Sequence, residues 1–101
     1  MLKPIVKGII KFNNRIVLVN RAFPSIVSNL NQSICTELQK GIKLQTGLYI
    51  NEFEIINLIP KDDTVLIYLL AKDVDFVDEA LLENQELSCD EDREIYNKLI
   101  E

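Results

Sequence analysis

The longest apolar run in the chain, Val65–Ala71, restricts the possible folds more than any other feature. Its seven residues fall far short of the roughly 20 that a membrane-spanning helix needs. The run consists of strand-forming residues without polar alternation, and such a strand is typically buried on both faces of a sheet. The sequence therefore predicts a strand at Thr64–Ala71, covered by other layers on both sides, and no membrane span.

A tight hairpin is predicted near the start of the chain. Asn13 and Asn14 join two β-rich segments, 5–12 and 15–20, and asparagine tolerates the positive φ that a two-residue turn requires. The expected cross-strand pairs are Phe12–Arg15, Ile10–Val17 and Gly8–Val19. The next segment, 21–32, contains a proline, serines and amide side chains, and we expect it to be a loop.

The clearest helix signal lies at Ser33–Thr46. Ser33 is a typical N-cap residue, and Gly47 follows the last turn, where a left-handed C-cap favours glycine. Lys40 and Lys43 suit the negative end of the helix dipole. One apolar stripe with helical spacing is expected to face the core: Ile34, Leu38 and Ile42.

The second half of the chain predicts further strands and one more helix. The expected elements are a strand at Leu48–Ile59 that forms a hairpin with Thr64–Ala71, a helical turn at Val77–Leu82, a short strand at Glu86–Cys89 and a final helix at Glu91–Ile100, capped by Asp90. Ile95 and Leu99 give that helix its buried stripe. Residues 1–101 are enough for one small domain. The order of elements predicts an α/β fold with a mixed sheet and helices on both faces.

The charge distribution leaves several kinds of partner open. Residues 1–51 carry seven basic residues and one acidic residue, whereas residues 52–101 carry four basic and fifteen acidic residues. The basic half could face an anionic ligand and the acidic half a basic partner, or the two halves could cancel on a solvated surface. The net charge of −5 and the dispersed basic residues argue against a nucleic-acid-binding protein.

Cysteine and histidine usage argues against a zinc centre. The chain has two cysteines, Cys35 and Cys89, and no histidine, which falls short of the four ligands of a structural zinc site. Both thiols are expected to be reduced and partly buried.

Lysines interrupt the apolar N-terminus at positions 3, 7 and 11, so this segment predicts a strand rather than a signal peptide, and we expect a cytoplasmic protein.

The spacing of several residues in the first half resembles the Nudix hydrolase family. The Nudix box, G-x5-E-x7-R-E-U-x-E-E-x-G-U with U apolar, aligns without a gap on Ile26–Leu48. The matching residues are Pro24 before the box, Ile42 and Leu48 at the apolar positions, Thr46, and Gly47 at the final glycine. Upstream, GIIKFNNRIVLVNR is similar to the opening hairpin of the family. The resemblance implies a minimal Nudix-like α/β/α sandwich.

The polar positions of the box depart from the family pattern systematically. The family glycine is Ile26, the first glutamate is Gln32, the arginine is Lys40, the next glutamate is Gly41, and the glutamate pair that the resemblance assigns to metal binding is Leu44 and Gln45. The chain therefore lacks all four carboxylates of the box.

This loss bears on the chemistry that the resemblance implies. Nudix-type hydrolysis of a diphosphate linkage uses magnesium or manganese ions to bridge the phosphates and to activate water. Magnesium prefers anionic oxygen ligands, and a leucine offers none. We therefore expect a catalytically inactive Nudix-like domain without a metal or cofactor. Such a domain would act by binding, and a regulatory interaction with a protein partner is the favoured role. Richness in isoleucine, asparagine and lysine is typical of an AT-rich genome, such as that of a phage or virus.

Three alternatives remain open from the sequence. A metal-independent nucleotide-binding module would hold phosphates with basic residues and a base with aromatic rings. Its candidate ligand-binding residues are Lys7, Arg15, Arg21, Phe23, Lys40 and Tyr49. An active hydrolase of nucleoside-diphosphate-linked substrates would need displaced acids, with Glu37, Glu52, Glu54, Asp62 and Asp63 as candidates. A homodimer would form if an edge strand near Ile5 paired with a second copy.

Overall fold

Six strands and two helices make up the part of the chain that the computed structural model describes, which is residues 3–12, 15–19, 21–29, 33–74, 77–78, 82 and 87–100. The strands are β1 (Lys3–Ile9), β2 (Lys11–Phe12), β3 (Arg15–Ile16), β4 (Ser25–Val27), β5 (Phe53–Lys61) and β6 (Thr64–Ala71). The helices are α1 (Ile34–Thr46) and α2 (Asp90–Ile100).

The main sheet is mixed, as predicted. Its strand order is β4-β1-β6-β5, with β1 parallel to β6 and the other neighbours antiparallel. Strand β6 begins and ends where the apolar run predicts, and it lies between two neighbours because its side chains are apolar on both faces. Strands β2 and β3 form a separate two-stranded ribbon.

The two helices cover opposite faces of this sheet, which confirms the predicted α/β/α layers. Leu38 and Ile42 of α1 pack in one core cluster with Val6 of β1. Ile95 of α2 packs in a second cluster with Ile9, which points to the other face of the same strand. Neither helix is long and apolar enough to cross a bilayer.

Local capping fixes both ends of α1. The Ser33 hydroxyl accepts a hydrogen bond from the Thr36 N–H at 3.2 Å. Gly47 adopts a left-handed conformation with φ of 79°, and its N–H donates to the Lys43 carbonyl oxygen at 2.9 Å. The predicted helix is therefore confirmed to within one residue.

The predicted N-terminal hairpin is only partly correct. Phe12 pairs with Arg15, and the Val17 N–H donates to the Ile10 carbonyl oxygen, as expected. The expected pair of Gly8 with Val19 is wrong, because the Gly8 N–H donates to the carbonyl of Pro24 instead. Strand β1 is not part of the hairpin, because one of its edges pairs with β4 and the other pairs with β6.

Two further boundaries differ from the prediction because long-range contacts decide them. The predicted loop 21–32 contains the three-residue strand β4, which forms only because β1 lies beside it. The strand predicted from Leu48 begins at Phe53. Residues 48–52 lie outside the sheet, and the Asp73 carboxylate accepts the backbone N–H groups of Asn51 and Glu52 just before the strand begins.

The acidic segment before α2 also differs from the prediction where it is described. Val77 and Asp78 are not helical, and Leu82 makes an isolated bridge with Val17, so a helical turn at Val77–Leu82 is wrong at these positions. Residues 79–81 lie outside the described residues. Residues 87–89 are not a strand, and residue 86 is also outside the description. The last helix begins at Asp90, one residue earlier than predicted.

Among the described strands, β4 and β5 form the edges of the sheet, so the predicted pairing of a second copy near Ile5 is wrong in its location. Ile5 lies on β1, between β4 and β6. The long edge strand β5 is protected: the Leu58 N–H donates to the side chain of its neighbour Asn57, Pro60 has no N–H, and a bulge lies between Ile55 and Asn57. Such devices discourage a second strand from adding to an edge.

Candidate functional site

The predicted Nudix-box residues form the surface where α1 lies along β4. One row of α1 residues with a spacing of four faces this strand region: Glu37, Gly41 and Gln45. Glu37 accepts hydrogen bonds from the Ser28 hydroxyl at 2.9 Å and from the Asn29 N–H at 3.1 Å. Gln45 donates from Nε2 to the Ser25 carbonyl oxygen at 2.9 Å. Hydrogen bonds at both ends of the row therefore attach α1 to the segment that contains β4.

The middle of this row is a close contact between Gly41 and Ile26. A Cβ atom added to Gly41 would overlap with Cγ2 of Ile26. The family pattern has glycine at the position of Ile26 and glutamate at the position of Gly41. This chain therefore has a large residue where the pattern has a small one, and a small residue where the pattern has a large one. An apolar side chain thus fills the space in which a glutamate side chain at position 41 would begin.

The box residues do not fit a divalent metal ion. Magnesium and manganese require oxygen ligands, which Leu44 cannot provide, and this side chain is 88% exposed. The amide of Gln45 donates to a carbonyl oxygen, which would repel a carboxylate in the same place. Gln32 lies outside the described residues. Within the described ranges, no three histidine, cysteine, aspartate or glutamate side chains are grouped so that they could hold a metal.

The candidate displaced acids occupy structural positions. Glu54 forms an ion pair with Lys72 at 2.9 Å. Asp62 adopts a positive φ of 53° in the turn that it forms with Asp63 between β5 and β6. Glu52 is exposed beside β5, and its backbone is held by the aspartate at position 73. Those N–H donors lower the pKa of this aspartate, with Asn51 making the largest contribution.

Two of the predicted ligand-binding residues lie on the α2 side of the sheet, where Lys7 is half-buried and Phe23 is buried. Lys7 has a side chain only 12% exposed, and its Nζ lies 2.8 Å from Oδ1 of Asp92. Phe23 is 1% exposed and packs edge-on against Tyr68, with ring centroids 6.2 Å apart. The Phe23 ring is therefore unable to stack on a base without rearrangement of the core, and a phosphate would have to compete with Asp92 for the Lys7 ammonium.

The other four predicted ligand-binding residues are dispersed. Arg15 donates to the carbonyl oxygen of Leu82, and the backbone carbonyl of Arg21 accepts the Ser88 N–H at 3.0 Å. Lys40 is exposed on α1, and Tyr49 is exposed just after it. Since Lys7 and Lys40 belong to opposite faces of the sheet, the structure does not gather the six residues into one site.

A buried polar cluster beneath α2 was not predicted from the sequence. Asp92 is fully buried, and its Oδ1 accepts hydrogen bonds from both Lys7 Nζ and the Tyr68 hydroxyl, the latter at 2.7 Å. Burial and the hydrogen bond to Asp92 raise the pKa of Tyr68 above its ordinary value. The missed signal is spacing: Asp92 lies three residues before Ile95 and seven before Leu99, on the apolar stripe of α2.

An ion pair at the start of α2 makes stability depend on pH. The Glu91 carboxylate lies 2.6 Å from Lys61 Nζ and also accepts a hydrogen bond from the Cys89 thiol; both cysteines are half-buried free thiols. The hydrogen bond from Lys61, followed by that from Cys89, lowers the pKa of Glu91 from 4.5 to about 2. A carboxylate whose pKa is lowered in the folded state stabilises that state fully above pH 4.5, and this stabilisation is lost as the pH falls towards 2.

We therefore expect Glu91→Gln to be less stable than the wild type above pH 4.5, with the difference vanishing near pH 2. Urea midpoints measured across this range test the prediction. Glu94→Gln, at an exposed position of the same helix, is the matched control. A constant difference between Glu91→Gln and the wild type at every pH would contradict the role of this ion pair.

Comparison with known proteins supports the fold. No model of a known protein family and no curated protein matches the chain. Among solved structures, a protein described as a Nudix hydrolase family member from Chromobacterium violaceum matches with a TM-score of 0.72 and 19% identity over 98% of this chain and 77% of that one. An ADP-ribose pyrophosphatase from Streptococcus suis matches with a TM-score of 0.56 and 15% identity over 98% and 92% of the two chains. The chain thus has a Nudix-like fold, as predicted.

Proposed function

We propose that this chain is a catalytically inactive Nudix-like domain that acts by binding a protein partner, in a regulatory role. One observation carries the proposal: two box residues of α1, Gly41 and Gln45, are engaged with β4. Ile26 fills the space beside Gly41, and Gln45 donates to a backbone carbonyl. An origin in a phage or virus and a cytoplasmic location stay predictions from composition and sequence.

Hydrolysis by displaced acids is less well supported than binding. Metal-assisted attack of water on a diphosphate needs ions that bridge the phosphates, and these ions need several anionic oxygen ligands close together. Glu37 is engaged by Ser28 and Asn29, and Glu54 by Lys72. Recruiting Glu37 to a metal ion would also break the contacts that hold α1 against Ser28 and Asn29.

A metal-independent nucleotide-binding module is the second candidate, and one exposed pair favours it. The Lys43 ammonium lies 5.5 Å from the centroid of the Tyr49 ring. A lysine can contact a phosphate, and an exposed ring can stack on a base. Lys7 is paired with Asp92 and Phe23 is buried, so neither adds a ligand contact to this pair.

Turnover and ligand binding can be measured on one panel of ADP-ribose, nucleoside diphosphate sugars and dinucleoside polyphosphates. We expect no product above background with Mg²⁺ or Mn²⁺, and the same result for Glu37→Gln and Glu54→Gln. Metal-dependent turnover that either variant abolishes would contradict the proposal. A metal-independent rise in Tm on the order of 10 °C with one nucleotide, near 100 times its Kd, would favour the second candidate.

A further inference from the structure

We infer that the outward face of α1 is a docking surface for an acidic protein segment that carries an aliphatic or aromatic anchor residue. The surface, named here the α1 outer face, consists of Lys40, Lys43 and Leu44 together with Tyr49 just after the helix. This inference rests on the proposed binding function, and it specifies the surface and the chemistry of the partner.

Leu44 supplies the apolar centre of the α1 outer face. It is 88% exposed, whereas Leu38 and Ile42 on the inner side of the same helix are completely buried. Lys40 precedes Leu44 by one helical turn, so the two side chains lie on the same side of the helix. A single exposed leucine needs no explanation, but here it lies within a defined group of exposed side chains.

Tyr49 adds a pre-organised aromatic ring to this group. It is 62% exposed, and the Lys43 ammonium lies against it at 5.5 Å from the ring centroid. This cation–π contact limits the freedom of both side chains before any partner binds. Exposed tyrosines that are already ordered lose little entropy on binding and are frequent among the residues that dominate interface energies.

Charge complementarity indicates the partner. The two lysines of α1 lie on its outer face, whereas its one acidic residue, Glu37, is turned towards Ser28 and Asn29. The α1 outer face therefore carries two lysine side chains, whose charges favour an acidic partner over a basic one. Two lysines around a leucine suit a protein segment better than a nucleic acid, which is bound mainly through many phosphate contacts.

The α1 outer face lies on the same stretch of helix as the missing carboxylates. Leu44 is at a metal-ligand position of the family box, next to Gln45, whose amide is fixed by the Ser25 carbonyl oxygen. At position 44 this chain thus has an exposed apolar side chain where the family pattern has a carboxylate.

The test uses an mRNA-displayed random peptide library selected against the immobilised full chain. We expect selected peptides to be rich in aspartate and glutamate and to contain a large apolar residue. Synthetic versions, measured by fluorescence anisotropy, should bind Leu44→Ser and Lys43→Glu about tenfold or more weakly than the wild type. The effect of Lys43→Glu should shrink as salt rises. Matched controls are Leu58→Ser, at a 56% exposed position of β5, and Lys98→Glu, at an exposed position of α2.

Each alternative result overturns a defined part of the inference. Peptides that bind Leu44→Ser and Lys43→Glu as tightly as the wild type would overturn the location, while the proposed protein-binding function would stand. A selection that returns basic peptides, or none, would overturn the acidic chemistry. A nucleotide whose binding Lys43→Glu abolishes, in the absence of any peptide ligand, would assign the face to the nucleotide candidate. Metal-dependent turnover in the hydrolysis panel would instead overturn the proposed function itself.

Discussion

Replacing Asp92 with asparagine is expected to lower the free energy of unfolding by about 3–5 kcal/mol. The substitution leaves the Lys7 ammonium, whose side chain is only 12% exposed, beneath α2 without a counter-charge. Burying an unpaired charge costs far more than an exposed ion pair gains. Urea unfolding followed by circular dichroism measures the change, and the Tm should fall by more than about 10 °C in a domain of this size.

The double variant Lys7→Met with Asp92→Asn separates the charge effect from packing. It removes both charges while the asparagine oxygen can still accept the Tyr68 hydroxyl. We expect it to be more stable than Asp92→Asn alone, because no buried charge remains. Glu54→Gln breaks the exposed pair with Lys72 and should cost less than about 1 kcal/mol. If Asp92→Asn proved as mild as Glu54→Gln, the buried cluster would not anchor α2 as described.

Gly41→Ala is expected to destabilise the protein by about 1–2 kcal/mol, although alanine is normally about 1 kcal/mol better than glycine inside a helix. The added methyl group overlaps with Cγ2 of Ile26, so either the Ile26 side chain or the backbone beside it must shift. Thermal or urea unfolding gives the sign directly. A Gly41→Ala variant more stable than the wild type would show that this contact does not hold the helix against the strand.

A double variant tests whether the contact with Ile26 causes the destabilisation by Gly41→Ala. In an Ile26→Ala background the overlap disappears, and we expect Gly41→Ala to become stabilising through its helix propensity. Gly47→Ala is the matched control, since Gly47 has a φ of 79° and a Cβ atom there would meet no atom within 4 Å. Its cost comes from the left-handed backbone and should be the same in both backgrounds. Restoring glutamates at positions 44 and 45 alone would leave position 41 blocked.

The parts of the fold that short-range rules govern could be predicted from the sequence. The ends of α1 follow from Ser33 and Gly47, which act on backbone groups within four residues. Strand β6 follows from its own apolar run. Strand β4 could not be predicted, because three residues with one exposed serine become a strand only when β1 offers hydrogen bonds.

The candidate site could be predicted in its position and not in its contacts. The gapless spacing of the box located the surface on α1, and the missing carboxylates were visible in the sequence. From the sequence Gly41 was only the position of a missing glutamate, because the reason for a glycine there is Ile26, which is distant along the chain and close in space. Lys7 looked like an anion-binding residue, since nothing nearby in sequence indicates its pairing with Asp92.

Titration of Mn²⁺ into the ¹⁵N-labelled protein tests most directly whether the box surface has lost its metal site. A bound Mn²⁺ ion broadens the amide signals of the residues around it. We predict that signals of residues 40–47 stay as sharp as those of β1 at low Mn²⁺, with weak broadening confined to acidic surfaces such as the exposed Asp90 and Glu94. Selective broadening of residues 40–47 that a chelator reverses and Glu37→Gln removes would contradict an inactive, metal-free domain.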